Sequence, residues 1–322
     1  MDPWRIHGGR LDDAQAAFPD APRAWIDLST GINPHAWNVE QAGPIDWTRL
    51  PDEGALAALE SAAAAHFGVE PASVCAVPGS EMGLRILDAL GLPEPYRHMV
   101  PSYATHAEAL PGSTPVATEA MEAGGGTLLL ANPNNPDGRL LPTNLLRRWM
   151  AQGETLVIDE AFADAAEGVS LLGGPLGERL VVLRSFGKFF GLAGVRLGFV
   201  VASPARIAPL RRRLGSWPVS AAAIAIGTVA YRDTGWIADT RAALVKEAAR
   251  LDALLCAHGL EPQGDCPLFR LVKLDGADAL FDRLARRGIL TRPFAYAPDW
   301  LRIGLPADDA AYARLEAALA DG

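Results

Sequence analysis

Three cysteines in 322 residues, Cys75, Cys256 and Cys266, are too few and too widely spaced for a disulfide framework, and their number is odd. No CxxC pair or Cys/His cluster offers zinc spacing, and the six histidines are scattered, so no metal is expected. Positive charge is also scarce. With 29 Lys and Arg against 38 Asp and Glu, the formal net charge is −9, which argues against a general binder of nucleic acid or of an anionic membrane. The arginines at 211–213 therefore read as a solvated helix face. No apolar run is long enough to span a bilayer, and the longest Ala/Ile-rich one, 219–230, reads as a buried helix. Because Met1-Asp2-Pro3-Trp4-Arg5 lacks the basic and then apolar regions of a secretory signal, a cytoplasmic protein is expected.

What is present is a hydrophobic content of 49% and a length that suits one large domain with a smaller partner. The first fifty residues are broken by Pro3, Pro19, Pro22, Pro34 and Pro44, with Gly8-Gly9 and Gly31 between them, and read as a segment that drapes over something else. From residue 55 the chain turns regular. Strand-like runs, mostly apolar, at 74–77, 98–100, 127–130, 156–158 and 180–183 alternate with helices at 55–67, 80–90, from 105 and from 143. That alternation predicts an α/β fold with a mainly parallel sheet sandwiched by helices. After Trp217-Pro218 the rhythm changes to long helices and two strands, 269–273 and 301–304, which fits a smaller α+β domain. The expected division is an N-terminal segment, 1–45, packing on the small domain and the site, a large domain, 46–218, and a small domain, 219–322.

In an open parallel sheet, ligands bind at the carboxyl ends of the strands, so the exit residues point to a site. The first strand exits into Pro78-Gly79-Ser80-Glu81 at a helix start, where free N–H groups and a hydroxyl can cradle a phosphate, although a Gly-Ser helix cap is also common. Tyr103 follows the second strand, either as a flat partner for a planar ligand or as core. The turn Asn132-Pro133-Asn134-Asn135-Pro136-Asp137-Gly138 presents several amides in a rigid frame. Asp159 ends a buried strand, and a carboxylate there needs a positive partner, which a protonated heterocycle supplies. Ser185, Lys188 and Arg196 follow the last strand of the series. Lys188 alone reads as an exposed turn lysine; with the other exits it reads as an amine for an aldehyde. Together these groups match the needs of pyridoxal phosphate.

The three ordered stretches, Asn132 to Gly138, Asp159-Glu160-Ala161-Phe162 and Ser185 to Arg196, resemble the class I/II aminotransferase family of fold type I pyridoxal-phosphate enzymes. The resemblance implies that Lys188 bonds the cofactor aldehyde, Asp159 holds the pyridine nitrogen, Asn135 bonds the ring hydroxyl and Tyr103 stacks on the ring. It implies that Ser80, Ser185, Arg196 and the backbone of Gly79 and Glu81 hold the cofactor phosphate, and that Arg302, in Leu301-Arg302-Ile303-Gly304, binds the substrate carboxylate. The opening stretches, His7-Gly8-Gly9 and Trp25 to Pro34, resemble the threonine-phosphate decarboxylase branch of that family, in cobalamin biosynthesis. That branch implies a small phosphorylated amino acid as substrate, with His7 and Asn33 helping to receive it, and a homodimer. Histidinol-phosphate aminotransferase is the alternative reading, and a non-catalytic cofactor-binding protein the distant one.

Three positions depart from the family pattern. Phe162 stands where many relatives have a tyrosine hydroxyl. Gly187 replaces the second serine of Ser-x-Ser-Lys, so a phosphate site one hydroxyl short is expected. Leu50 stands where relatives often have a tyrosine that reaches the neighbouring subunit's cofactor phosphate.

Overall fold

The apolar runs assemble into one seven-stranded sheet in the computed structural model, which describes residues 2–174 and 176–320. Its order is Val74–Val77, Gly198–Ala202, Leu180–Ser185, Glu154–Asp159, Gly126–Ala131, Tyr96–Val100, Thr114–Ala117. The last five run parallel, and Gly198–Ala202 is antiparallel to both its neighbours. Every residue of Val74–Val77, Glu154–Asp159, Leu180–Ser185 and Gly198–Ala202 is buried, as expected of a sheet covered on both faces. Thr114–Ala117 carries a proline and is mostly exposed, which an edge strand tolerates.

The helix expected over 80–90 is two pieces, Ser80–Arg85 and a 3-10 turn Leu87–Leu90, because Ile86 leaves helical geometry (φ −119°, ψ 19°). On the other side of the fold, Glu53–Phe67 buries Leu59, Ala62, Ala63 and Phe67 and ends at Gly68 in the left-handed conformation.

This sheet belongs to a unit comprising Ala36–Asn135 and Leu140–Thr240. A second unit comprises Met1–His35, Pro136–Arg139 and Arg241–Gly322. The division thus differs from the expected one, which placed the boundaries after residues 45 and 218. The helix Ala221–Ala230 packs on Glu53–Phe67 of the first unit. Trp236 stacks on Phe190 with ring centroids 5.5 Å apart, and the Trp37 N–H donates to the Phe190 carbonyl at 3.0 Å. These contacts draw residues 219–240 and the start of the loop at 36 into the larger unit.

Within the second unit a four-stranded antiparallel sheet runs Arg292–Phe294, Ala297–Gly304, Phe269–Lys273, Pro262–Gln263. The N-terminal segment joins this unit through a separate two-stranded parallel sheet, Ile26–Asp27 with Ile289–Leu290, and meets the four-stranded sheet through the Gly304 N–H, which donates to the Leu28 carbonyl at 2.8 Å.

Candidate active site

Strand register brings the exits together. Val77 and Ser185 both pair with Gly198, so the turn at Gly79-Ser80 and the hydroxyl of Ser185 lie at one end of the sheet with a single strand between them. Asp159 pairs with Ala131 on one side and Leu183 on the other. The Asn132 N–H donates to the Asp159 carbonyl at 3.0 Å, which fixes the start of the amide-rich turn carrying Asn135.

At the first exit Gly79 has φ +85°, and a Cβ there would stand 2.7 Å from Arg196 Nη2. The absent side chain is what lets the guanidinium lie against this turn. Arg196 itself takes a left-handed conformation, φ 56°. The Ser80 and Glu81 N–H groups begin the helix Ser80–Arg85 and have no intrahelical acceptor. The Glu81 carboxylate is turned to Thr105 Oγ1, 3.1 Å away, and Arg85 Nε, 3.0 Å away, so its contribution to the turn is its backbone.

Asp159 is buried. Its Oδ1 accepts the Ala161 N–H at 3.1 Å, and its Oδ2 stands 3.2 Å from His106 Nε2. His106 is fully buried, and its Nδ1 is a buried ring nitrogen without a hydrogen-bond partner among the described residues. This assigns the ring proton to Nε2, donating to the carboxylate. Tyr103 meets the His106 ring edge-on at 6.0 Å, and burial, followed by the Glu81 charge, pushes its phenol up to about 12.

His106, in contact with Asp159, is a position that sequence reasoning did not single out. A histidine three residues past Tyr103 carries no motif, and only the docking of its short helix against the sheet brings it to Asp159.

Lys188 sits in the helical turn Phe186–Phe189, half-buried, with Nζ 5.6 Å from the centre of the Phe162 ring. Phe186 stacks on Phe190 at 4.5 Å, and both pack against Tyr231, so the turn rests on an aromatic platform. Gly187 is required sterically. A Cβ there would stand 2.7 Å from the Ala193 Cα, so the serine common at this position has no room. Phe162 is buried and places no hydroxyl here, and Leu50 is 63% exposed.

The remaining candidates lie in the second unit. Arg302 is buried in the middle of its sheet, donates to the Ser29 carbonyl at 2.6 Å and stands 4.9 Å over the Phe269 ring. Burial lowers its guanidinium to about 10. Asn33 is buried and accepts the His35 N–H at 2.9 Å, while His7 is half-buried.

The donors of the larger unit fit a planar, phosphorylated aldehyde with a basic ring nitrogen. One buried carboxylate, one half-buried amine, an aromatic face, and a turn of N–H groups, hydroxyls and a guanidinium share one sheet end. Among the described residues no group of three His, Cys, Asp or Glu is arranged to hold a metal ion.

The family profile "Aminotransferase class I and II" matches residues 24–318. A threonine-phosphate decarboxylase of a Sinorhizobium species is 40% identical, over 98% of this chain and 97% of its own. A threonine-phosphate decarboxylase of Pseudomonas aeruginosa is also 40% identical, over 97% and 96%. The crystal structure of histidinol-phosphate aminotransferase from Sinorhizobium meliloti, in complex with pyridoxal-5'-phosphate, superposes with a TM-score of 0.83 over 100% of this chain and 96% of that one, at 20% identity.

Proposed function

This chain belongs to the class I and II aminotransferase family, and from that premise we propose that it is a pyridoxal-phosphate enzyme that decarboxylates L-threonine O-3-phosphate. The product is (R)-1-aminopropan-2-ol O-phosphate, for cobalamin biosynthesis. The observation that carries the reading is the near-full-length match to two threonine-phosphate decarboxylases, each at 40% identity.

When bound, pyridoxal phosphate supplies an aldehyde that takes up an amine and a protonated ring that accepts the electron pair released at the substrate α-carbon. Lys188 is the amine that holds the aldehyde in the resting enzyme. Asp159, oriented by the His106 Nε2–H, would accept the hydrogen bond of the ring N–H. Tyr103 and Asn135 hold the ring face and its hydroxyl. Ser80, Ser185, Arg196 and the amide of Glu81 would hold the phosphate, whereas the Gly79 N–H, expected to join them, already donates to the Val77 carbonyl at 2.7 Å. Arg302 takes the substrate carboxylate, and His7 and Asn33 assist in receiving the substrate. Loss of the carboxylate as carbon dioxide leaves one proton to be delivered to the α-carbon, and the Lys188 ammonium is its donor.

The enzyme is a cytoplasmic homodimer in this reading. Its larger unit carries an apolar groove with Pro44, Ile45, Leu50, Pro51 and Ile224 among its lining, and Trp47 beside it in the chain is 75% exposed. A second copy of the chain would cover that surface.

The test incubates the protein with pyridoxal phosphate and threonine phosphate, without a keto acid. Carbon dioxide and aminopropanol phosphate should form in equal amounts, and Lys188→Ala should form neither above background. Absence of both, together with glutamate-dependent conversion of imidazole acetol phosphate, would overturn the assignment in favour of a histidinol-phosphate aminotransferase.

A further inference from the structure

Directly behind the proposed cofactor site lies a buried charge cluster that the mechanism does not use. Arg184 donates from Nη1 to Glu160 Oε2 at 2.8 Å and from Nη2 to Asp164 Oδ1. Glu160 also accepts from Ser170 Oγ at 2.6 Å and from the Leu171 N–H at 3.2 Å. Asp164 Oδ1 stands 2.9 Å from His66 Nε2, and the Arg184 Cζ lies 4.7 Å over the Phe67 ring. The side chains of Arg184, Glu160 and Asp164 are 5%, 0% and 1% exposed, so this is not a solvated surface pair.

The cluster's position in the chain is its significant feature. Glu160 follows Asp159, and Arg184 precedes Ser185 and stands four residues before Lys188. The ladder between the two strands ends with Asp159 opposite Leu183 and with the Glu160 N–H bonded to the Leu183 carbonyl at 2.9 Å. Beyond that point no strand pairing sets the distance between the Asp159 turn and the Lys188 turn. The Glu160–Arg184 pair spans that gap. Since side chains alternate across a strand, Arg184 faces away from Ser185, and the pair can hold the site from behind without entering it.

Stability alone is a poor reason for such a pair, because apolar residues of similar volume usually serve as well, whereas fixing register is the best-attested use of buried charge. We propose that Arg184 and Glu160 are positioning residues that hold the Asp159 and Lys188 turns in one register. The proposal rests on the cofactor roles assigned above to Asp159 and Lys188.

The test uses the full chain as wild type, Glu160→Gln, Arg184→Lys and the paired Arg184→Met/Glu160→Leu, each checked for folding by its melting temperature. Hydrogen exchange, measured with and without pyridoxal phosphate, should show amides 159–163 and 186–190 opening about ten-fold more often in the variants, with Val74–Val77 unchanged. With cofactor, kcat on threonine phosphate should fall about 10- to 100-fold while KM stays within about three-fold, since small misplacements cost that much. The paired variant, which also leaves Asp164 buried without its guanidinium, should melt lower than wild type and still lose kcat at temperatures where it remains fully folded, an outcome a purely structural role does not produce.

Folded variants with wild-type exchange and wild-type kcat would overturn the proposal. A wild-type protein that fails to decarboxylate threonine phosphate, while the variants still loosen amides 159–163 and 186–190, would instead sink the functional assignment and leave the positioning role standing.

Discussion

Restoring the family's serine at position 187 should harm this enzyme. The sequence reading treats Gly187 as a missing phosphate donor, which suggests that Gly187→Ser would tighten cofactor binding. The structure argues the opposite. A Cβ at 187 would lie 2.7 Å from the Ala193 Cα, 3.3 Å from its N and 3.4 Å from its Cβ, and the nearest of these is backbone. Accommodating it requires moving Ala193, whose carbonyl accepts the Arg196 N–H at 3.3 Å and Arg196 Nη1 at 3.5 Å. The clash is therefore relayed to the guanidinium proposed to hold the cofactor phosphate. Overpacking a buried position costs about 1–3 kcal/mol. If the loaded state carries additional strain of half that size, because Arg196 must return to the phosphate against the displaced Ala193, pyridoxal-phosphate affinity falls roughly 2- to 12-fold, at about 1.4 kcal/mol per ten-fold. Gly187→Ala carries the same Cβ without the hydroxyl and serves as the control. Urea midpoints of the cofactor-free proteins and fluorescence titrations with pyridoxal phosphate measure the two quantities. A serine variant with an unchanged midpoint and tighter binding than both wild type and the alanine variant would refute the reasoning.

Three further outcomes follow from the buried groups. His106→Ala removes the Nε2–H from Asp159 Oδ2, and leaving a buried carboxylate short of a donor costs about 1–3 kcal/mol, so cofactor affinity or kcat should fall roughly 5- to 150-fold. His106→Gln, which retains an N–H donor, should recover part of the loss, and equal kinetics in wild type and alanine variant would show that the contact is idle. Burial pushes the thiols of Cys75 and Cys266 from 9.0 up to about 12. A folded pKa above the unfolded one gives stability that is complete below pH 9 and is lost as pH rises from 9 toward 12. Urea midpoints across that range should therefore decline. At pH 8 a thiol reagent should label only the exposed Cys256 in the native protein and all three cysteines in denaturant; native labelling of Cys75 or Cys266 would contradict their burial.

Much of the fold was legible because its signals are local. A strand buried on both faces is apolar along its length, so 74–77, 156–158 and 180–183 announce themselves, and a polar or small residue at each exit marks the end where ligands bind. The sequence alone determined that Ser80, Tyr103, Asn135, Asp159, Ser185, Lys188 and Arg196 follow strand exits in one ordered series.

What depended on distant parts of the chain was not legible. The Gly198–Ala202 strand inserts antiparallel between Val74–Val77 and Leu180–Ser185, and nothing in its own residues states that direction. The 219–240 segment belongs with the larger unit because Trp236 finds Phe190, a contact made 46 residues apart. His106 reaches Asp159 across 53 residues, and Arg184 gathers Glu160 and Asp164 across 24 and 20. Gly187, a missing hydroxyl to the sequence, is in three dimensions a space already filled by Ala193. Strand exits are set by neighbours along the chain, whereas the partners of a buried charge and the room beside a glycine are set by packing, and only the tertiary structure decides those.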